Sequence, residues 1–345
     1  QDPDTLLKGP YFSAQLPFRQ SALPLDFFSQ LRLPFPPHAH QARAFERLGG
    51  ANPQPTLVAT GTGSGKTECF MYPLLNHCAA TAGAGVKAII IYPMNALATD
   101  QASRFASAIA SDPKLHGRVT VGLFVGDSDE FPCKVMGPKQ VITDKPTLRQ
   151  NPPDILLTNY KMLDYLMLRP VDQPLWRYNT PGCLRFLVVD ELHTFDGAHG
   201  SDLACLVRRL KHHVAVDNGQ FACVGTSATV GDELGQLLDY ASQIFGQPFD
   251  DSAVIREDRL SAAEFLQDSP VRFSYFPEPD SQLEASSYAD HHAYLNAQLA
   301  IWFPAEDLVL PADLDSDTGR EVRIRLGELM RQHSALHLLL ADLQG

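Results

Sequence analysis

The sequence predicts an α/β protein built on a doubly wound parallel sheet, with an N-terminal arm before it and a helical, acidic region after it. Three observations carry that prediction. Residues 56–75, TLVATGTGSGKTECFMYPLL, read as a short apolar strand, a glycine-rich loop and an apolar helix in that order. Five further apolar runs follow at spacings suited to strands, with helix-like segments between most of them. Beyond about residue 250 this alternation stops.

Taken in order, residues 1–37 are rich in Pro and Phe, which reads as an irregular arm packed over a domain surface. Residues 40–48, HQARAFERL, form a short helical pattern. In the loop that follows the first strand, Gly61, Gly63 and Gly65 let successive backbone N–H groups curl around a polyphosphate, and the helix N-terminus behind them adds partial positive charge. Lys66 can reach the β- and γ-phosphates as a point charge, and the Thr67 hydroxyl can serve as a Mg²⁺ ligand. The pattern G-x-x-x-x-G-K-[ST] has one departure, Thr60 at its first position.

The later runs, residues 86–92, 119–125, 154–158, 184–190 and 221–225, are continuous in Val, Ile and Leu, as strands covered on both faces are. Residues 96–110 and 202–213 read as helices, the second with Leu203, Leu206, Val207 and Leu210 on one face and a basic end, RRLKHH, that suits a helix C-terminus. Residues 250–320 are acidic and loop-like apart from a helical piece at 294–303, and residues 326–343 show one amphipathic helix pattern.

Composition limits the function classes. The length of 345 residues suits two domains, or one α/β domain with large additions. No apolar run approaches the roughly 18 residues that a membrane-spanning helix needs, and the first residues lack a signal peptide's basic start and apolar centre. The chain opens on Gln1 rather than Met, as a fragment would. Six cysteines contain no C-x-x-C pair, so a reduced, cytoplasmic setting with cysteines as small hydrophobes is expected. The net charge of −12 is uneven: residues 250–320 hold 15 acidic and 4 basic residues, and the first 249 residues sum to −1. The overall acidity therefore does not argue against a nucleic-acid partner at the loop-bearing part.

Asp190 and Glu191 end the apolar run Phe186, Leu187, Val188, Val189. Carboxylates at the C-terminal tip of such a strand sit where ligands bind, beside the phosphate loop. Asp190 is placed to hold Mg²⁺, and Glu191 to orient and deprotonate an attacking water. The His38/His40 and His291/His292 pairs have no Cys or carboxylate partners at ligand spacing, and read as isolated surface histidines. Asp196, His199 and Asp202 read as a loop leading into a helix that Ser201 or Asp202 caps.

GTGSGKT at 61–67, DELH at 190–193 and TSAT at 226–229 resemble motifs I, II and III of the superfamily 2 DExH-box helicases. YPMNALATDQ at 92–101 resembles motif Ia, and LLTNYKMLDYLML at 156–168 resembles motif Ib. Gln41, 25 residues before Lys66, matches the glutamine that reads adenine in this family. The run VVDELHTFDGAHGSDLACLVRRL is most similar to the large bacterial helicases of the YprA-like branch and of antiphage defence islands.

The resemblance implies a RecA-like ATPase domain over 49–250, preceded at 1–48 by the arm with the adenine-reading glutamine. Residues 251–345 would then lead toward a second motor domain. It implies ATP and Mg²⁺ as cofactors, held by Gln41, Thr62, Gly63, Ser64, Gly65, Lys66, Thr67 and Glu68, with Thr67 and Asp190 as the metal's residues. Lys66, Asp190 and Glu191 would carry hydrolysis, while His193, Ser227 and Thr229 would couple it to movement. Asn95, Thr158 and Asn159 would grip a nucleic-acid backbone, DNA favoured over RNA, with little sequence preference. Nothing in the chain matches the family's Q-x-x-G-R-x-x-R pattern. The second RecA-like domain, with its arginine fingers, is therefore expected from the rest of a longer protein or another chain, and a protein partner is possible. Slow hydrolysis by this chain alone is the consequence. The rival to a translocating helicase is an ATP-gated clamp that grips nucleic acid or a partner without unwinding.

Overall fold

The structure, a computed structural model, describes residues 15–126, 132–216, 221–228, 234–278, 282–304 and 306–342. In chain order its elements are α1 (Ala39–Leu48), β1 (Thr56–Ala59), α2 (Lys66–Ala80), β2 (Ala88–Ile91), α3 (Asn95–Ser111), β3 (Val121–Phe124), α4 (Lys145–Gln150), β4 (Ile155–Thr158), α5 (Tyr160–Leu168), β5 (Phe186–Val189), α6 (Gly197–His213), β6 (Ala222–Ser227), α7 (Leu234–Phe245) and β7 (Val254–Arg256). There follow α8 (Ala262–Leu266), α9 (His291–Trp302), α10 (Asp317–Arg331) and α11 (Ser334–Asp342).

The strands form one parallel sheet in the order β3-β4-β2-β5-β6-β1-β7. Parallel strands need crossovers, and the helices that supply them cover both faces, which is why these runs are apolar without alternation. Ile89 and Ile91 face a core shared with α5, α6 and α7, whereas Ala88, Ile90 and Tyr92 face a second core with α1, α2 and α3. Each fully buried isoleucine contributes about 2 kcal/mol of apolar burial.

Four details differ from the sequence reading. β7 joins the sheet beside β1 beyond the expected limit at residue 250; with three residues it is too short to show a pattern. β6 runs on to Ser227, so the start of TSAT lies in a strand. Neither Ser201 nor Asp202 caps α6, because that helix already begins at Gly197 behind Asp196. Gly200 permits the early start, since a Cβ there would fall 2.7 Å from the Phe195 carbonyl oxygen. The pattern at 326–343 belongs to two helices, not one. They part at His333, fully buried, whose Nε2 donates to the Tyr275 carbonyl and whose Nδ1 accepts from Ala335 N–H.

By its contacts the chain divides into two compact units. Phe18–Asp258 contains the sheet; residues 15–17 and Arg259–Gly345, as far as described, form the other. The second unit has its own small core of Phe273, Leu299, Phe303, Leu310 and Leu329.

Candidate nucleotide site at the strand tips

The loop between β1 and α2 opens with Thr60, whose N–H donates to the Ser227 carbonyl at 3.2 Å and whose hydroxyl lies 2.7 Å from Ser64 Oγ. Gly63 and Gly65 have φ of +78° and +80°, where a side chain would be strained. At Gly65 the restriction is also steric, because a Cβ would come within 2.4 Å of Gln41 Nε2. Gly65 is the N-cap of the 15-residue α2 and brings no side chain to its first N–H groups. Those groups and two left-handed glycines make a cradle that fits a polyphosphate.

α1 braces this loop from behind. His40 Nε2 donates to the Ser64 carbonyl at 2.8 Å, and Gln41 Nε2 to the Gly65 carbonyl at 3.4 Å. Gln41 Oε1 accepts the His38 N–H at 2.9 Å, so both ends of its buried carboxamide are engaged. His40 is itself fully buried, which corrects its reading as a surface histidine. Burial holds its imidazole below the usual range, against the opposing effect of the Ser64 carbonyl. Among the described residues no cluster of His, Cys, Asp or Glu is arranged to hold a metal by itself.

Lys66 and Thr67 begin α2. Lys66 Nζ sits 3.2 Å from Glu191 Oε1. Thr67 Oγ1 accepts from Arg104 Nη1 at 3.1 Å, and the same guanidinium pairs with Glu68. Arg104 comes from α3 and had no sequence signal beyond its helical spacing from Gln101, whose Oε1 it also meets at 3.1 Å.

Asp190 follows β5 and is 7% exposed. β5 pairs with β6 through Val189 and Gly225, which puts Asp190 beside Thr226 one step on. The Thr226 hydroxyl donates to Asp190 Oδ1 and accepts the Glu191 N–H at 3.0 Å. Burial raises the Asp190 carboxyl above the usual range, with the Thr226 bond opposing and the Glu191 charge adding to the rise. Glu191 is left-handed at φ 49°, a strained conformation for a non-glycine residue that turns its carboxylate toward Lys66. The Lys66 ammonium suits phosphate oxygens, and the Asp190 and Glu191 carboxylates beside it supply the hard oxygen donors that fit Mg²⁺. Thr226 escaped sequence reasoning although its neighbour Ser227 did not; its role depends on β5 and β6 being adjacent.

His193 Nδ1 lies 3.3 Å from Ser227 Oγ and 3.4 Å from Glu191 Oε2, so this proposed coupling pair touches the proposed base. Thr229 lies outside the described residues. Asn95 and Asn159 are brought together, Asn159 Nδ2 donating to Asn95 Oδ1 at 2.7 Å. Asn159 also caps α5 through the Met162 N–H at 2.8 Å. Thr158 differs from expectation: it is fully buried, and its hydroxyl donates to the Phe124 carbonyl at 2.7 Å, inside the sheet rather than at a surface.

The sequence profile described as DEAD/DEAH box helicase matches residues 38–237. The Druantia protein DruE of Escherichia coli is 26% identical, over 56% of this chain and 16% of its own length. YprA of Bacillus subtilis, described as an uncharacterized ATP-dependent helicase, is 29% identical over 58% of this chain and 24% of its own. The chain thus spans 16% to 24% of the length of these two relatives. The crystal structure of the DUF1998 helicase MrfA bound to DNA and AMPPNP shares the fold, with a TM-score of 0.50 at 24% identity over 65% of this chain and 27% of that one.

Proposed function

This chain belongs to the DEAD/DEAH box helicase family, and from that premise we propose that it is an ATP-hydrolysing motor domain working on nucleic acid, DNA in preference to RNA. The loop amides from Thr62 to Gly65 and the Lys66 ammonium hold the phosphates, while Thr67 and Asp190 hold Mg²⁺. Bound Mg²⁺ neutralises phosphate charge. Glu191 takes the proton of the attacking water, and the strained turn at φ 49° aims it there. Thr226 fixes Asp190 and Glu191 together through one hydroxyl. His193 and Ser227 pass the state of the site to a moving partner, a second motor domain elsewhere in a longer protein or in another chain. For Gln41 to read adenine, it has to exchange either His38 N–H or the Gly65 carbonyl for the base. Asn95 and Asn159 supply polar groups toward a nucleic-acid backbone.

The observation that carries this reading is the contact of Glu191 with Lys66 at 3.2 Å. It joins the phosphate-binding cation to the hydrolytic carboxylate across residues 125 positions apart. The test is phosphate release from ATP and Mg²⁺ with no polymer, single-stranded DNA, duplex DNA or RNA, beside Lys66→Ala. The expected result is hydrolysis stimulated most by DNA and abolished in the variant. Hydrolysis indifferent to every polymer would remove nucleic acid from the proposal. Stimulation without strand displacement by the longer protein would favour a clamp over an unwinding motor.

A further inference from the structure

The phosphate loop is met by a carboxylate from β7, the short strand that no motif marks. Glu257, one residue past β7, accepts the Gly61 N–H on Oε2 at 3.2 Å. A Cβ on residue 61 would lie 3.3 Å from that same oxygen, so glycine leaves room for the approach. The backbone on both sides of Glu257 is held in place. β7 is paired with β1 up to Arg256 beside Ala59. On the other side, Asp258 is pinned by Arg19 Nε at 2.9 Å and Arg43 Nη2 at 3.5 Å, and its carbonyl accepts the Arg19 N–H at 2.7 Å. Arg43 also donates to the Arg256 carbonyl at 3.2 Å. Within the loop, Ser64 N–H reaches back to the Gly61 carbonyl at 3.4 Å. His40, bonded to Ser64, feels the Glu257 charge. A half-buried negative charge is therefore fixed within one turn of the amides that face the phosphates.

We propose that Glu257 sets the nucleotide affinity of this loop by charge: it opposes each phosphate charge that enters, so that triphosphate is disfavoured more than diphosphate, and adenosine not at all. The inference rests on the reading of the loop as an ATP site. Glu257 acts on the ligand through space while its hydrogen bond shapes the loop, and these two roles are separable. A fixed unit charge near a Debye length from a phosphate at a partly wet surface changes affinity about threefold per charge.

Glu257→Gln keeps an oxygen acceptor of the same reach for Gly61 and removes the charge. Glu257→Asp keeps the charge and shortens the reach. Equilibrium titrations of ATP, ADP and adenosine, with and without Mg²⁺ and at low and high salt, measure both. For Glu257→Gln the expected result is ADP and ATP both bound tighter, ATP gaining about threefold more than ADP for its one additional charge, and adenosine unchanged, with the gain shrinking in high salt and in Mg²⁺. Glu257→Asp should stay close to the parent in all three. Parent-like constants for Glu257→Gln, or an equal change for all three ligands, would reduce Glu257 to a structural tether and overturn the proposal. So would Glu257→Asp behaving like Glu257→Gln. Failure of the parent chain to bind ATP at all would instead overturn the ATP-site reading beneath it.

Discussion

Glu191→Gln should tighten ATP binding and stop hydrolysis, and both effects come from one side chain. Glu191 Oε1 is 3.2 Å from Lys66 Nζ, with the side chains 23% and 11% exposed. A triphosphate that uses Lys66 has to displace this carboxylate. At an effective dielectric of about 20 the gross attraction is about 5 kcal/mol. Desolvation of both charges takes back most of that. A net of about 1.4 kcal/mol remains, which is about one factor of ten in affinity. Glutamine keeps the shape and loses the charge, so ATP should bind about tenfold tighter. The same change removes the proposed base, and hydrolysis should fall by about 10² to 10⁴. Titration with a fluorescent ATP analogue gives the first number, and single-turnover phosphate release gives the second. Unchanged or weaker ATP binding would show that Lys66 is not contested by Glu191. Hydrolysis within tenfold of the parent would assign the proton to another group.

Two further predictions concern the scaffold. His77, in the last turn of α2, is packed edge-to-face on Phe186 at 5.3 Å. Burial first, then Arg185 and Lys87, lower its pKa from 6.5 to about 4. With the folded value lowered, the unfolded chain takes up the proton first as pH falls, so this contribution is complete above about 6.5 and is lost on the way down to about 4. Going from pH 7 to pH 5 should cost about 2 kcal/mol that His77→Gln does not lose. Urea unfolding followed by Trp176 fluorescence, in a Trp302→Phe background, measures it; parallel losses in parent and variant would refute the assignment. Tyr92, fully buried at the end of β2, carries a hydroxyl with no hydrogen-bond partner among the described residues. Tyr92→Phe should therefore be neutral or stabilising by up to about 1 kcal/mol in the same assay. A clear loss of stability would mean that the hydroxyl has a partner.

How much of this was legible in the sequence depends on the range of each contact. The placement of GSGKT and DELH was legible within a few residues, because a helix N-terminus and a strand tip are local structures. The paired strands and their helices were legible for the same reason, since continuous apolar runs suffice to name them. Glu257 was not, because its partner Gly61 is 196 residues away and β7 is three residues long. His40 looked like a surface histidine because nothing local reveals that α1 lies against the loop carbonyls. His333 breaks a continuous helical pattern through a bond to Tyr275, 58 residues earlier. In each case the missed fact is a tertiary contact that no periodicity encodes.

The sheet order explains why TSAT belongs to the same machine as the other two motifs. β6 lies between β5, which carries Asp190 and Glu191, and β1, which feeds the phosphate loop. Successive residues on a strand point to opposite faces. Thr226 therefore serves the face of α2, where it bonds Asp190 and the Glu191 N–H. Ser227 turns to the other face and meets His193, while its carbonyl receives the Thr60 N–H that starts the loop. One strand end thus touches the loop proposed for phosphate, the carboxylates proposed for metal and water, and the histidine proposed to transmit. On the proposed function, a shift of Glu191 away from Lys66 would pull on the Thr226 hydroxyl through the Glu191 N–H and on His193 through the Glu191 side chain. In the proposed motor, adjacent residues of β6 would receive both displacements, one on each face of the sheet, which makes the tip of β6 the place where the nucleotide's state would first become mechanical.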